Sequence, residues 1–139
     1  MSEAQKVRLR VISVMTDPYG DKNEIKNAHI GTYREEGDTI VLEYDDIQDG
    51  ERAHVELHAA KGRAKMVRKG MTSAQLTFIP GQRTSSAYVT MYGEIPVMVD
   101  TRQVLVTREQ NGGDLLLGYD VYVGGDMTAR TQLRATWRF

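Results

Sequence analysis

Tyr88-Val-Thr-Met-Tyr-Gly-Glu-Ile-Pro-Val-Met-Val-Asp100 is the stretch whose reading decides the fold. Aromatic and aliphatic residues alternate into Gly93, and Ile95, Val97 and Val99 continue at period two beyond it. Period two with β-branched and aromatic side chains is the pattern of a half-buried strand. Glycine between two such runs marks a chain reversal. The unit is therefore strand, turn, strand. On strand parity Ala87, Val89 and Met91 form one row and Tyr88, Thr90 and Tyr92 the other. The small and aliphatic row is expected to pack the interior, which places two tyrosines and a threonine at the surface or rim.

The same unit repeats in both directions. Upstream, Val7, Leu9, Val11, Ser13 and Met15 alternate with Lys6, Arg8 and Arg10, and Asp17-Pro-Tyr-Gly20 turns the chain. Residues 24–35 form a more polar strand whose apolar content is Ile25, Ala28, Ile30 and Tyr33. Ile40, Leu42 and Tyr44 share a face before the acidic turn Asp45-Asp-Ile-Gln-Asp-Gly50, which ends in a strong hairpin dipeptide. Ala53, Val55, Leu57 and Ala59 follow, then Ala64 and Met66 after Lys61-Gly62, then Ala74, Leu76 and Phe78. Downstream, the parity switches at Thr101-Arg-Gln103, because Val104 and Val106 are the next apolar pair. One inserted residue inverts the inward set, so a bulge is predicted there. Asn111-Gly-Gly113 turns into Leu115, Leu117, Tyr119, Val121 and Val123, the cleanest strand. Gly124-Gly-Asp126 leads to Thr131, Leu133, Ala135 and Trp137, with Arg130, Arg134 and Arg138 on the opposite parity.

Nine or ten strands joined by short turns, without a helical window, make an antiparallel meander. So many strands close or split, because open edges template aggregation. The expected fold is all-β: one domain over residues 1–139, a single up-and-down barrel of about 8–10 strands, with an orthogonal sandwich as the fallback. The length of 139 residues suits one domain.

Composition narrows the function classes. Hydrophobic residues make up 40% and charged residues 27%, with a formal net charge of −1, so no global field draws the protein to nucleic acid or membrane. There are no cysteines, which excludes disulfides, thiolate catalysis and thiolate-bound zinc. The charged N-terminal stretch lacks the apolar segment of a signal peptide, and no apolar run reaches membrane-spanning length. The expected setting is the cytoplasm, with no membrane partner.

Site signals are few. Asp45 to Gly50 with Glu56 imitates part of a calcium loop, but Ile47 stands where a ligand is needed and the flanks read as strands, so a plain acidic turn is expected. His54-Val-Glu-Leu-His58 invites a metal reading. On a strand, at about 3.4 Å per residue, the two histidines would lie roughly 13–14 Å apart, too far to share one ion. No metal, cofactor or catalytic set is assigned, and no nucleophile is placed near His29, His54 or His58.

Two charge features remain. Arg68 falls on the inward parity of its strand, where an isolated charge is costly. It is read first as a structural plug, and alternatively as the anchor of an interior site for a small amphipathic or anionic ligand, with Tyr44 and Tyr119 as neighbours. The second feature is a pair of basic rows, Lys6, Arg8 and Arg10 on the first strand and Arg130, Arg134 and Arg138 on the last. If those strands pair, the rows adjoin in a stripe that could meet nucleic acid or an acidic partner. Ordinary solvated faces are set ahead of that. Oligomeric state is not legible.

The ordered series Gly31-Thr-Tyr33, Ile40-Val-Leu-Glu-Tyr44, Val67-Arg-Lys-Gly70, Phe78-Ile-Pro-Gly81, Tyr88-Val-Thr-Met-Tyr-Gly93 and Leu115-Leu-Leu-Gly-Tyr-Asp-Val121 resembles the bacterial YwiB-like family, a domain of unknown function, 1934. Relatives tend to carry proline where Met91 stands here. The resemblance implies a calycin-like, lipocalin-type barrel and no established activity. Arg68, Tyr88, Thr90, Tyr92 and Gly93 match recurrent positions of the family without a role attached. The reading that results is a non-enzymatic binding barrel, with an interaction module acting through the basic stripe as the alternative and an enzyme of unrecognised type as the third possibility.

Overall fold

The computed structural model describes residues 3–48 and 50–139. Met1 and Ser2 of the charged N-terminal stretch, and Asp49 of the acidic turn, lie outside them. Among the described residues there are ten strands: β1 Gln5–Thr16, β2 Lys22–Glu36, β3 Thr39–Gln48, β4 Glu51–Ala60, β5 Arg63–Lys69, β6 Ser73–Phe78, β7 Arg83–Thr90, β8 Gly93–Glu109, β9 Gly112–Val123 and β10 Asp126–Arg138. Each strand pairs antiparallel with its sequence neighbours, and β1 pairs with β10 to close a barrel. Among the described residues every strand is thus paired on both sides, β6 with β7 only at Ser73–Val89 and Ala74–Tyr88.

Alternation works as expected where one face is plainly apolar. Ile40, Leu42 and Leu57, like Leu115 and Leu117, are at most 1% exposed and form the core with Phe78 and Trp137. The predicted bulge is present, since the β8–β9 register shifts between Thr101 and Gln103. Val104 and Val106 then pack on the core. A second shift lies between Met127 and Ala129 in β10.

The ends of the barrel differ. Because the chain is a meander, the β2–β3, β4–β5, β6–β7 and β8–β9 turns lie at one end, and the other five turns at the opposite end. The first end is plugged by aromatics. Tyr33 stacks on Trp137 at 5.5 Å and meets Phe139 edge-on at 5.3 Å, contacts each worth about 0.5–1.5 kcal/mol beyond area burial. Gly113 makes the plug possible, since a Cβ there would lie 2.4 Å from the Trp137 ring and 2.3 Å from the Thr107 carbonyl.

Two expectations are corrected, and the inward face of β2, which alternation left open, is fixed. The turn expected at Asp45 to Gly50 is shorter, because β3 runs on to Gln48 and Asp46 becomes an inward strand residue, 7% exposed. In β2 the apolar residues sit on both parities. Register with β1 turns Tyr33, His29 and Ile25 inward and leaves Ile30 62% exposed. Last, Tyr88 faces in and Val89 faces out, the reverse of the expected row. Tyr88 is paired with Ala74, which is itself paired with Arg68, so the three share a face. Tyr88 packs on the core. Register across strands outweighs the modest difference in polarity between a tyrosine and a valine.

Candidate functional site

One layer of the interior can be followed by register from strand to strand. Tyr44 of β3 is opposite Val55, Val55 opposite Arg68, Arg68 opposite Ala74, and Ala74 opposite Tyr88. Directly opposed residues in antiparallel strands project to the same face, so Tyr44, Arg68 and Tyr88 all point into the barrel. They lie in the halves of their strands nearest the end opposite the aromatic plug.

That end holds a cavity of about 140 Å³. Arg68, Asp46, His29, Asn27, Tyr44 and Ser13 supply its polar lining, and Val11, Ile25, Val55, Met66 and Leu133 the apolar part. The Arg68 guanidinium donates from Nη1 to the Asp46 carboxylate at 3.2 Å. Asp46 is the carboxylate that the sequence reading lacked. Continuing the parity of Ile40, Leu42 and Tyr44 by one more step would have found it. An arginine facing a dry interior needs such a partner, because isolated charge there is very costly. The pair is unequal in hydration: the Arg68 side chain is 31% exposed and that of Asp46 only 10%. The guanidinium therefore reaches the opening while the carboxylate sits beneath it.

The tyrosines divide by depth. Tyr44 packs its ring on His29 with centroids 4.5 Å apart. Burial pushes its phenol up to about 12, the nearby Asp46 charge adds to the shift and Arg68 opposes it. Tyr44 therefore stays a neutral donor at any ordinary pH. Tyr88 is pushed up by burial and pulled back by Arg68. Tyr119 lies deeper, tilted against Phe78 at 4.6 Å, and burial raises its phenol as well. Tyr44 and Arg68 both line the cavity, whereas Tyr119 packs in the core and is not part of the lining.

The recurrent turn residues frame the opening. Thr90 caps the β7–β8 reversal, its hydroxyl donating to the Gly93 carbonyl at 3.0 Å and accepting from the Tyr92 amide at 3.1 Å. Gly93 holds φ at 123°, a value that favours glycine. Tyr92 stands out from the tip, 93% exposed. Met91 is exposed in the same reversal, and Tyr19, Ile47 and Met71 at or beside other reversals of the same end. Large apolar side chains thus ring the mouth.

A second cluster lies on the outer wall. Register sets Glu43 opposite Glu56 and Asp45 opposite His54. The possible ligand atoms of Glu43, His54 and Glu56 all fall within 4.8 Å of one another. Glu43 comes from the neighbouring strand, which is why scanning β4 alone missed it. His54 and His58 go to different partners: His54 Nδ1 is 3.0 Å from Asp45, and His58 Nε2 is 3.0 Å from Glu56. Arg34 donates to Glu43, and that contact holds the Glu43 carboxyl below its ordinary range. This is an ion-pair network whose anions already have cations beside them.

The basic rows do adjoin. Arg8 is opposite Arg138, and Ile12 opposite Arg134, across the closing β1–β10 pair. Lys6 continues the row on β1. Arg130 departs from it, because both its pairing atoms turn to Asp120.

Three comparisons bear on this fold. The family model described as a domain of unknown function, DUF1934, matches residues 10–134. The uncharacterized beta-barrel protein YwiB of Bacillus subtilis is 22% identical over 126 residues, which cover 91% of this chain and 88% of the relative. The crystal structure of ywiB protein from Bacillus subtilis superposes with a TM-score of 0.89 at 21% identity, over 99% of this chain and 94% of that one. At that identity the likeness speaks for the fold.

Proposed function

We propose, for a chain that belongs to the DUF1934 family, a non-enzymatic binding barrel of calycin-like use that works in the cytoplasm and takes the polar head of a small amphipathic ligand at its open mouth. The observation that carries this reading is the cavity beside Arg68, closed below by apolar side chains and bounded by Asp46, His29, Asn27 and Tyr44.

Size limits the ligand. A volume of about 140 Å³ is that of about four to five waters, well below the roughly 300 Å³ at which drug-sized pockets begin. The cavity takes a head group rather than a whole molecule, and the exposed ring of Tyr19, Ile47, Met71, Met91 and Tyr92 is where an apolar remainder would rest. Charge limits it further. The Arg68 guanidinium has donors beyond the one spent on Asp46, and arginine presents five in a planar fork. A carboxylate or phosphate-like head with a hydroxyl or amide beside it would use Arg68, Tyr44 and Asn27 together.

Native mass spectrometry of the protein purified from its own host tests the reading. The expected result is a discrete mass excess from one small molecule, lost on denaturation and absent from Arg68→Met. A bare-chain mass under conditions that preserve non-covalent complexes overturns it.

A further inference from the structure

The outer wall over the barrel closure carries a segregated charge. Of twelve arginines in the chain, seven (Arg34, Arg52, Arg68, Arg83, Arg102, Arg108 and Arg130) form ion pairs with carboxylates. Among the described residues, four of the other five are Arg8, Arg10, Arg134 and Arg138, all on this one face. Arg8 and Arg138 stand directly opposite each other, a like-charge pair that disfavours the sheet unless an anion lies between. The chain as a whole is slightly acidic, so the face is not a sample of a generally basic surface.

The face is also concave and partly apolar. An open groove of about 760 Å³ is lined by the four arginines of β1 and β10, with Ile12 beside them on β1 and Ala28 and Ile30 of β2 along one flank. Ile30, 62% exposed, is a large apolar side chain left in water beside arginines that make no ion pair with a carboxylate among the described residues. A fully solvated wall gains nothing from that arrangement.

We infer that this groove docks an extended acidic segment of a partner protein in which carboxylates alternate with aliphatic side chains. Alternate residues of an extended peptide lie about 6.8 Å apart, the same spacing as Arg8 and Arg10 along β1. Each guanidinium fork matches a carboxylate in a bidentate pair. The intervening aliphatic side chains point to the opposite side of the extended segment and would cover Ile30 and Ala28 along the β2 flank. Nucleic acid fits less well, because unpaired bases want aromatic surface to stack on, and the groove lining includes no tyrosine, phenylalanine or tryptophan.

Fluorescence anisotropy on the full chain tests this with three labelled probes: a heptapeptide alternating glutamate and leucine, its glutamine analogue, and an oligothymidine of about 20 nucleotides, a length that exceeds one binding site of this size. The expected result is binding of the acidic peptide that weakens as salt rises, with the glutamine analogue weaker by about tenfold or more. Arg8→Glu with Arg134→Glu should lose a similar factor, and Arg8→Gln with Arg134→Gln, which avoids introduced repulsion, should lose part of it. Trp137 fluorescence reports whether each variant is folded. No binding of the acidic peptide at low salt overturns the inference, as does equal binding of the glutamine analogue or of the charge-reversed variant. Tighter binding of the oligothymidine also overturns it, and identifies the face as one for nucleic acid.

Discussion

Replacing Arg68 by methionine should cost more than replacing its partner. Arg68→Met keeps the aliphatic stem but leaves the Asp46 carboxylate, 10% exposed, without the guanidinium that donates to it at 3.2 Å. Removing one partner of a fully buried pair costs about 3–5 kcal/mol, whereas exposed pairs are worth about 0–1 kcal/mol. With one side chain nearly buried and the other 31% exposed, the structure places this pair between those limits. The expected loss is about 2 kcal/mol. In the converse variant, Asp46→Asn, the guanidinium can turn to the open mouth, and the loss should be about 1 kcal/mol or less. Arg68→Met with Asp46→Asn removes both charges and should recover much of the first loss, since no buried carboxylate is then left without its cation. Urea denaturation of the four proteins gives the cycle. Specific unfolding entropies put the Arg68→Met shift in melting temperature at about 7 °C for a chain of 139 residues. If Arg68→Met and Asp46→Asn cost the same, or the double variant loses the sum of both, the buried-carboxylate account is wrong.

Three further outcomes follow from the geometry. Tyr88→Ala should destabilise by about 2 kcal/mol while Tyr92→Ala changes stability by less than about 0.5 kcal/mol, because Tyr88 packs on the core and Tyr92 is 93% exposed; equal losses in urea denaturation would contradict the inward tyrosine. Gly113→Ala should cost more than about 2 kcal/mol and alter Trp137 emission, since the new Cβ meets both the indole ring and the Thr107 carbonyl; Trp137 is the one tryptophan, so unchanged fluorescence and stability would count against the plug. His54 is held above its ordinary value, first by its hydrogen bond to Asp45 and also by the Glu43 charge. A raised folded value means its contribution is full below the unfolded value near 6.5 and fades as pH rises through the folded one. Because the side chain is 43% exposed, the wild-type advantage over His54→Gln should be at most about 0.5 kcal/mol near pH 6 and shrink as pH rises above the unfolded value. An advantage that grew with pH would reverse the assignment.

Most of the architecture was legible residue by residue. Period-two runs separated by Asp-Gly, Lys-Gly and Asn-Gly turns specify hairpins, and enough hairpins in one short chain must close. The bulge at Thr101–Gln103 was visible because the valines on its far side changed parity. Arg68 was placed inward by the same counting. The counting faltered where the contrast between faces is small. In β2 apolar residues occupy both parities, and around Tyr88 an amphipathic ring competes with valine for the interior. Asp46 was lost to an expected turn, although it completes the row of Ile40, Leu42 and Tyr44.

The sequence by itself determined which side chains share a face within a strand, because alternation is a local property of an extended backbone. The tertiary structure decided which of those faces meet. It joined β1 to β10 and so set Arg8 against Arg138. It carried the layer from Tyr44 through Arg68 to Tyr88, and brought Asp46 of β3 under Arg68 of β5, two strands away. Those encounters depend on register and closure, which many pairings settle jointly over the whole barrel. No single stretch of the chain encodes them.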